Sequence, residues 1–261
     1  MIEPVFPPNL ADCYRELEKV SLPDTALSLN GGPLESTGNS IPLLECAQPV
    51  IDQEQFVLVA GQIFDLLAGY LPQMAGDLSL LKNNLPENKT DCGAMIHALL
   101  KRSGEAVNYL KNPQEIPPDV FGFAFSHVLR LYLAAYSRRL RGKYEFDTWG
   151  KGECPVCGSK PNFAKLDKDG RRYLYCGLCD TEWRFMRVAC PFCGNMSPEE
   201  LSFYELKEGP YRIDVCSVCR GYVKTIDLRG LEDMPPSLFW EDIKTVFLDM
   251  TVMQLGFVNK T

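Results

Sequence analysis

Two stretches with one cysteine pattern decide how this chain folds: CPVCGSKPNFAKLDKDGRRYLYCGLC (residues 154–179) and CPFCGNMSPEELSFYELKEGPYRIDVCSVC (residues 190–219). In each stretch a Cys-x-x-Cys pair with proline at its second position is separated by 18 or 22 residues from a second pair. The eight cysteines are Cys154, Cys157, Cys176, Cys179, Cys190, Cys193, Cys216 and Cys219. Two residues between cysteines let both sulfur atoms converge on one ion, and tetrahedral Zn²⁺ or a single iron needs four ligands. The sequence therefore predicts two four-thiolate metal sites.

The spacing and the turn residues support metal ligation. The first interval lies within the roughly 15–20 residues typical of zinc ribbons, and the second lies slightly outside that range. Proline pre-sets each turn, and Gly158 and Gly194 tolerate a positive φ after the second cysteine. We expect sequential pairing, with the four cysteines of each stretch at one metal. Disulfides or free redox pairs are the alternative.

The net charge of −7 over 261 residues is unevenly distributed. Residues 1–150 carry 12 Lys/Arg and 18 Asp/Glu, residues 151–229 carry 13 and 11, and residues 230–261 carry 2 and 5. Each four-thiolate site around a divalent ion would add a charge of about −2. The cysteine segment would then be near neutral or slightly acidic, which is a poor match for a phosphate backbone. We therefore expect no nucleic acid partner.

The N-terminus and the apolar runs bear on localisation. Residues 1–8 show no basic start followed by an apolar run, so a secretory signal is not predicted. No apolar run approaches the ~20 residues needed to span a bilayer, and we expect no membrane insertion. Reduced, metal-bound cysteines suit a reducing compartment. The sequence therefore predicts a cytoplasmic protein.

Composition and hydrophobic periodicity divide the chain into four regions. They are an irregular arm with a short helix (1–52), a helical domain (53–148), a double four-cysteine ribbon (149–229) and a C-terminal helix that packs on the rest (230–261). Apolar residues at three- and four-residue steps predict helices over 53–83 with a break at Pro72, over 92–111 and over 119–141. The predicted fold class is α+β. A helical N-terminal bundle is followed by two tandem rubredoxin-like or zinc-ribbon modules and a C-terminal helix.

Each ribbon is predicted to contain a β-hairpin, with turns at 168–170 and 208–210. A ribbon of this size cannot bury a core unaided, so metal binding, worth about 10 kcal/mol at structural sites, would be coupled to its folding. Residues 237–257 are predicted to form one amphipathic helix with Met250 and Met253 on its apolar face. We expect this face to pack in the core; a partner groove is the alternative.

The chain contains no recognisable catalytic constellation. It has no Gly-x-Ser-x-Gly, phosphate-binding glycine loop or His-Glu-x-x-His motif, and its two histidines, His97 and His127, are expected to be structural. A closed four-thiolate site has no open coordination position, so we expect the protein not to be an enzyme. Such a site serves as a scaffold or, with iron, in one-electron transfer. The cysteine pattern is compatible with either zinc or iron.

The layout resembles the formate dehydrogenase accessory proteins, the FdhE family. The residues that carry the resemblance, besides the cysteine pairs, are Trp149, Gly152, Tyr173, Trp183, Arg187, Tyr211-Arg212 and Tyr222-Val-Lys224. The resemblance covers about residues 120–257 and is weak over residues 1–90. It departs at Met234-Pro-Pro-Ser, where the family is expected to have an acidic turn.

The resemblance implies a cytoplasmic maturation factor with no turnover of its own. Such a factor binds the catalytic subunit of a molybdenum- or tungsten-dependent formate dehydrogenase during assembly. By motif match, the eight paired cysteines become rubredoxin-like ligands for two iron or two zinc ions. The alternatives are a rubredoxin-like electron-transfer or thiol-redox protein and a zinc-ribbon nucleic-acid binder.

Overall fold

The computed structural model describes residues 8–29, 41–206, 209–233 and 237–261. Some of the sequence predictions concern residues outside these ranges. They fall on parts of the predicted N-terminal arm, on the first residue of the predicted turn at 208–210, and on most of residues 234–237, where the sequence departs from the family pattern. The described residues form two compact units. One contains residues 8–29 and 47–136, and the other contains residues 41–46 and the described part of 137–261. The four predicted region boundaries remain a prediction.

The helices of the described chain agree with much of the predicted pattern. They are α1 (Pro8–Lys19), α2 (Leu43–Cys46), α3 (Gln53–Tyr70), α4 (Ala75–Asn83), α5 (Lys89–Leu100), α6 (Pro118–Leu140), α7 (Leu238–Lys244) and α8 (Val246–Gln254). The predicted break at Pro72 separates α3 from α4, and α6 matches the predicted helix over 119–141. Within the described ranges, no helix is both long and apolar enough to cross a bilayer.

Aromatic packing between α3 and α6 forms part of the core of the first unit. The Phe56 ring lies 6.3 Å from the Phe125 ring and 5.5 Å from the Tyr132 ring, measured between centroids. All three side chains are buried. Phe125 and Tyr132 lie seven residues apart, so two turns of α6 present both to the same neighbour. The apolar periodicity of these helices therefore predicted their buried faces correctly at these positions.

The helix predicted over 92–111 is shorter in the structure. It begins at Lys89 and ends at Leu100. Arg102 adopts a φ of 53°, in the left-handed region, and Ser103 accepts a hydrogen bond from the Glu105 amide at the start of a separate 3₁₀-helix. Serine and glycine at 103–104 disfavour a helix interior, and the apolar periodicity across them concealed the break.

The strands form one small ribbon and one six-stranded sheet. They are β1 (Leu27–Ser28), β2 (Val50–Ile51), β3 (Phe163–Leu166), β4 (Arg172–Tyr175), β5 (Glu182–Phe185), β6 (Leu201–Glu205), β7 (Tyr211–Cys216) and β8 (Tyr222–Asp227). β1 and β2 pair in the first unit, and the order in the large sheet is β5-β4-β3-β8-β7-β6. Strands within each predicted ribbon are antiparallel, as hairpins require.

The two ribbons share one sheet because β3 pairs with β8 in parallel, with Ala164 opposite Thr225. The sequence predicted two tandem ribbons and gave no sign that they would join. A parallel pair needs a long crossover, and residues 167–221, which include the second cysteine stretch, supply it. The large sheet therefore connects the elements that carry the two cysteine stretches.

The predicted C-terminal helix is two helices, broken at Thr245. The Thr245 hydroxyl donates to the carbonyl oxygen of Glu241 at 2.6 Å, and Thr245 has a φ of −102° and a ψ of 18°. A side chain that bonds to the preceding turn competes with the regular helix. Residues 237–257 are therefore not one continuous helix.

The break changes which residues of α8 are buried. Leu248 and Val252 pack in one apolar cluster with Ile213 and Val215 of β7. The predicted apolar face was wrong at the methionines, because Met250 is 64% exposed and Met253 is 54% exposed. One face of the sheet thus lies under both helices: α8 packs on alternate positions of β7, and Leu238 of α7 packs in a second cluster with Phe163 of β3 and Ile226 of β8.

Candidate metal centres

The first cysteine stretch folds into a tight cluster. The Sγ atoms of Cys154 and Cys179 lie 3.4 Å apart, and those of Cys157 and Cys176 lie 3.5 Å apart. All four sulfur atoms lie within 4.8 Å of one another, and all four residues are buried. Four sulfurs at bond lengths of ~2.3 Å around one ion form a tetrahedron with edges of roughly 3.8 Å. This cluster could therefore hold one metal ion.

Backbone turns position these sulfur atoms. The Cys154 amide donates to the Ser159 carbonyl at 2.8 Å, and the Gly158 amide donates to the Cys154 carbonyl at 2.9 Å. Gly158 has a φ of 73°, as predicted. Asp180 occupies the same position after the second pair, with a φ of 56°, and its amide donates to the Cys176 carbonyl. A non-glycine residue in this region costs about 1 kcal/mol or more, which the surrounding turn must offset.

The second stretch repeats this arrangement more loosely. The Sγ atoms of Cys190 and Cys219 lie 3.6 Å apart, and those of Cys193 and Cys216 lie 3.8 Å apart. Again all four sulfur atoms lie within 4.8 Å of one another. Cys190 and Cys216 are buried, Cys219 is partly exposed and Cys193 is exposed. The predicted sequential pairing of the cysteine pairs is therefore the grouping that the structure shows.

The turns of the second cluster repeat those of the first. Gly194 has a φ of 73°, and the Cys190 amide donates to the Asn195 carbonyl at 2.8 Å. Arg220 takes the position of Asp180 and has a φ of 60°. The sequence predicted a positive φ at the two glycines and not at Asp180 or Arg220. Their only sequence signal is that each directly follows a Cys-x-x-Cys pair.

A short segment from the predicted N-terminal arm is hydrogen-bonded to the first turn of the first cluster. The amides of Leu43 and Leu44, in α2, donate to the carbonyls of Pro155 and Val156 at 2.9 and 2.8 Å. Both leucine side chains are buried. The backbone between Cys154 and Cys157 is therefore held by a segment more than 100 residues away in sequence. Leu43 and Leu44 belong to the predicted irregular arm, and no sequence pattern connects them to the cysteines.

Burial and nearby donors set the electrostatics of the sulfur atoms. Burial raises the pKa of the Cys154 and Cys190 thiols above their ordinary value, so buried thiolates need a cation among them. The Gly221 amide donates to Cys219 Sγ at 3.4 Å, and the Asn195 side-chain amide donates to Cys216 Sγ at 3.9 Å. Hydrogen bonds of this kind tune a metal–thiolate centre without adding a ligand.

The donor set restricts the chemistry. Four sulfur ligands in a closed tetrahedral arrangement suit zinc or iron, and the geometry does not decide between them. The remaining cysteines lie outside both clusters: Cys13 and Cys92 are buried, and Cys46 is exposed. The two clusters could hold two metal ions per chain.

Comparison with known proteins identifies similar chains. Residues 153–187, which include the four cysteines of the first cluster, match the family profile described as "FdhE, central domain". The "Protein FdhE homolog" of Aquifex aeolicus is 36% identical over 143 residues, which are 51% of this chain and 50% of that protein. The "Protein FdhE homolog" of Shewanella oneidensis is 27% identical over 204 residues, which are 76% of this chain and 63% of that protein.

These matches confirm the predicted resemblance to the FdhE family. The chain spans about half to just under two thirds of the length of these curated relatives. "The crystal structure of the FdhE protein from Pseudomonas aeruginosa" aligns with a TM-score of 0.50 at 22% identity, over 78% of this chain and 68% of that chain. The structural similarity shows a shared fold, which agrees with the predicted α+β class.

Proposed function

Because residues 153–187 match the FdhE central-domain profile and the chain is similar to FdhE homologues, we propose that it is an accessory protein in formate dehydrogenase maturation. In this proposal it acts in the cytoplasm and binds the catalytic subunit of a molybdenum- or tungsten-dependent enzyme during assembly. It has no turnover of its own. The observation that carries the proposal is the pair of closed four-cysteine clusters on one sheet, in the order that the family resemblance implies.

The proposed metal ligands are the eight clustered cysteines. They are Cys154, Cys157, Cys176 and Cys179 at one ion and Cys190, Cys193, Cys216 and Cys219 at the other. A four-thiolate site leaves no coordination position for a substrate, which supports a structural role rather than a catalytic one. Structural metal binding contributes about 10 kcal/mol in small domains. The two ions would hold the cysteine turns, and with them a shape that a partner can recognise.

The structure also supports a second candidate, one-electron transfer through iron. Cys193 is exposed, so a redox partner can approach the second cluster closely. Iron bound to four thiolates absorbs visible light and bleaches on reduction, whereas zinc does neither. A spectrum of the purified protein therefore separates the two roles before any partner is tested.

The decisive experiment is purification of the tagged chain from cells that express a formate dehydrogenase. The bound metal and the co-purifying proteins are measured together. We expect two metal ions per chain and the catalytic subunit of the enzyme. The matched variants are Cys154→Ser and Cys190→Ser, one in each cluster, and the control is Cys46→Ser, because Cys46 is exposed and lies in neither cluster.

Each cluster variant should lose one metal ion per chain, and the control should keep both ions and the partner. Loss of metal together with the catalytic subunit supports docking through the cysteine unit. Loss of metal with the partner retained indicates that the partner docks on the helical unit. Absence of the catalytic subunit from the unmodified protein, with both metal ions present, contradicts the proposed function and leaves the metal sites intact.

A further inference from the structure

A pocket of about 320 Å³ lies on the large sheet. Side chains alternate between the two faces of a strand, and Ile213 and Val215 of β7 pack under α8. Arg212 and Asp214, which line the pocket, therefore project from the opposite face. Neither the cysteine clusters nor the proposed maturation role accounts for this pocket.

The charged lining of the pocket is mainly basic. Four arginines and two carboxylates line it: Arg172, Arg187, Arg212, Arg229, Glu205 and Asp214. The apolar part includes Val188, Leu201 and Val223. A pocket of this size, with apolar walls and a few convergent polar groups, has the properties of a small-molecule or side-chain binding site.

Arg172 retains unused hydrogen-bonding capacity. Its side chain is only 3% exposed, and Nη1 donates to the Ala189 carbonyl at 2.9 Å. Within the described chain, no atom accepts an aligned hydrogen bond from its Nε or Nη2, although an Asp214 oxygen lies 3.4 Å from Nη2. Nε and Nη2 form the edge of a guanidinium that recognises a carboxylate through two parallel bonds.

Arg212 also has a buried donor without an aligned acceptor among the described residues. Its Nε lies 3.0 Å from Asp214, again without an aligned hydrogen bond. Asp214 also accepts a hydrogen bond from the Thr225 hydroxyl at 2.6 Å. One carboxylate is thus divided between two guanidinium groups and a hydroxyl. A buried donor left without an acceptor costs about 1–3 kcal/mol, and an added acceptor would recover part of that cost.

The other two arginines differ in their pairing. Arg229 is held by the Asp227 carboxylate, with its Nε 2.9 Å from one oxygen. Arg187 is exposed, and within the described ranges it has neither a hydrogen bond nor an ion pair. Arg187 is therefore an exposed cation of the lining whose charge no partner among the described residues offsets.

We propose that this pocket binds the carboxylate group of a ligand, with Arg187 supplying an exposed cation and Arg172 and Arg212 supplying buried donors. The charges around the pocket favour a ligand group that carries a single negative charge. Cys190 and Cys216 also line the pocket, and a divalent ion held by four thiolates carries a net charge of about −2. A carboxylate meets less repulsion there than a phosphate dianion. Its source is a small free acid or an acidic side chain of a peptide.

The test is a calorimetric titration of the full metal-loaded chain with acetate, with a tetraglutamate peptide and with inorganic phosphate. We expect saturable binding of at least one carboxylate probe and weaker binding of phosphate. Arg187→Gln and Arg212→Gln should each lower the affinity about tenfold, the effect of losing one charged hydrogen bond of roughly 1.4 kcal/mol. The control is Arg184→Gln, because Arg184 is exposed on β5 and lies outside the pocket.

The acetate and peptide probes distinguish the two sources of the carboxylate. Binding of acetate indicates a small free acid, and binding of the peptide alone indicates a protein-borne carboxylate. Metal content of two ions per chain in every variant excludes misfolding as the cause of lost binding, and exposed Arg187 keeps the test usable if Arg212→Gln fails this check. The proposal is overturned if neither carboxylate binds at ~10 mM, well above a millimolar dissociation constant. It is also overturned if phosphate binds more tightly or if Arg184→Gln weakens binding equally.

Discussion

The Arg172 guanidinium, on the first ribbon, donates a hydrogen bond at 2.9 Å to the carbonyl oxygen of Ala189, the residue before the first cysteine of the second cluster. Arg172 is almost completely buried, so this bond is shielded from water. Parallel pairing of β3 with β8 brings the two ribbons together in one sheet. The two ribbons are therefore connected by contacts that neither cysteine stretch contains alone.

Replacing Arg172 should destabilise the second cluster. Arg172→Met removes the bond to Ala189 and leaves Asp214 with one cation fewer, at a cost of about 2–4 kcal/mol in the free energy of unfolding. We expect faster release of metal from the second cluster, measured with a coloured chelator. The control is Arg171→Met, because Arg171 is 53% exposed and neighbours Arg172. Equal release rates for both variants would show that the buried bond has no such role.

Gly152 provides a second test of the connection between the ribbons. It precedes Cys154 by two residues, yet a Cβ atom at this position would lie 1.9 Å from the carbonyl oxygen of Pro191, inside the second cluster's first turn. Backbone cannot yield as a flexible side chain can. Gly152→Ala should therefore lower the metal content of the second site and the melting temperature, although residue 152 lies just before the first stretch.

The control for Gly152 is Gly122→Ala. Gly122 lies within α6, and a Cβ atom there would meet nothing within 4 Å. Alanine in a helix interior is favoured over glycine by about 0.5–1 kcal/mol, so this variant should melt at the same or a higher temperature. A Gly152→Ala protein with two metal ions and an unchanged melting temperature would mean that the turn at Pro191 adapts.

The sequence predicted the parts of this molecule whose cause is local. Cysteine spacing identified both quartets, and apolar periodicity identified α3 and α6. Pairing of β3 with β8 leaves no local signal, because register between distant strands is decided by tertiary packing. The hydrogen bonds of Leu43 and Leu44 to the first cysteine turn were missed for the same reason, because their partners lie more than 100 residues away in sequence. The break at Thr245 has a local partner, Glu241, and was missed because the apolar periodicity continues across it.

The two cysteine clusters differ in burial, and this difference predicts that their metal ions exchange at different rates. All four cysteines of the first cluster are buried, whereas Cys193 is exposed and Cys219 partly exposed in the second. A chelator or alkylating reagent reaches sulfur only where solvent does. We expect Cys193 and Cys219 to be alkylated before any cysteine of the first cluster, and one metal ion per chain to leave well before the other. Mass spectrometry of partly alkylated protein measures both.

The internal control for exchange is the set of cysteines outside the clusters. Cys46 is exposed and should react at once, and Cys13 and Cys92 are buried and should react only on unfolding. Simultaneous alkylation of both clusters would contradict the prediction and would indicate that the cysteine unit opens as a whole. Earlier reaction of Cys154 than of Cys193 would place the labile ion in the first cluster instead.

Acid sensitivity of the helical unit should depend on His127. Its ring lies 4.9 Å from the Phe123 ring and 5.7 Å from the Tyr14 ring. Burial, helped by the charge of Arg130, lowers the pKa of His127 to about 4. An unfolded histidine has a pKa of about 6.5, so between these values the unfolded state binds the extra proton. Stability from this group is present above pH 6.5 and is lost as the pH falls towards 4.

Replacing His127 by phenylalanine should remove that pH dependence while keeping an aromatic ring between its neighbours. Between pH 7 and 5 the unmodified chain should lose about 1–2 kcal/mol more in the free energy of unfolding than His127→Phe, after allowance for partial solvent screening. Urea unfolding of both proteins at pH 8, 7, 6 and 5 measures the difference, and acid effects on the cysteine clusters cancel because both chains share them. The gap between the proteins should stay constant from pH 8 to 7 and change below pH 6.5. A gap that stays constant down to pH 5 would mean that His127 takes up its proton in the folded chain as readily as in the unfolded one.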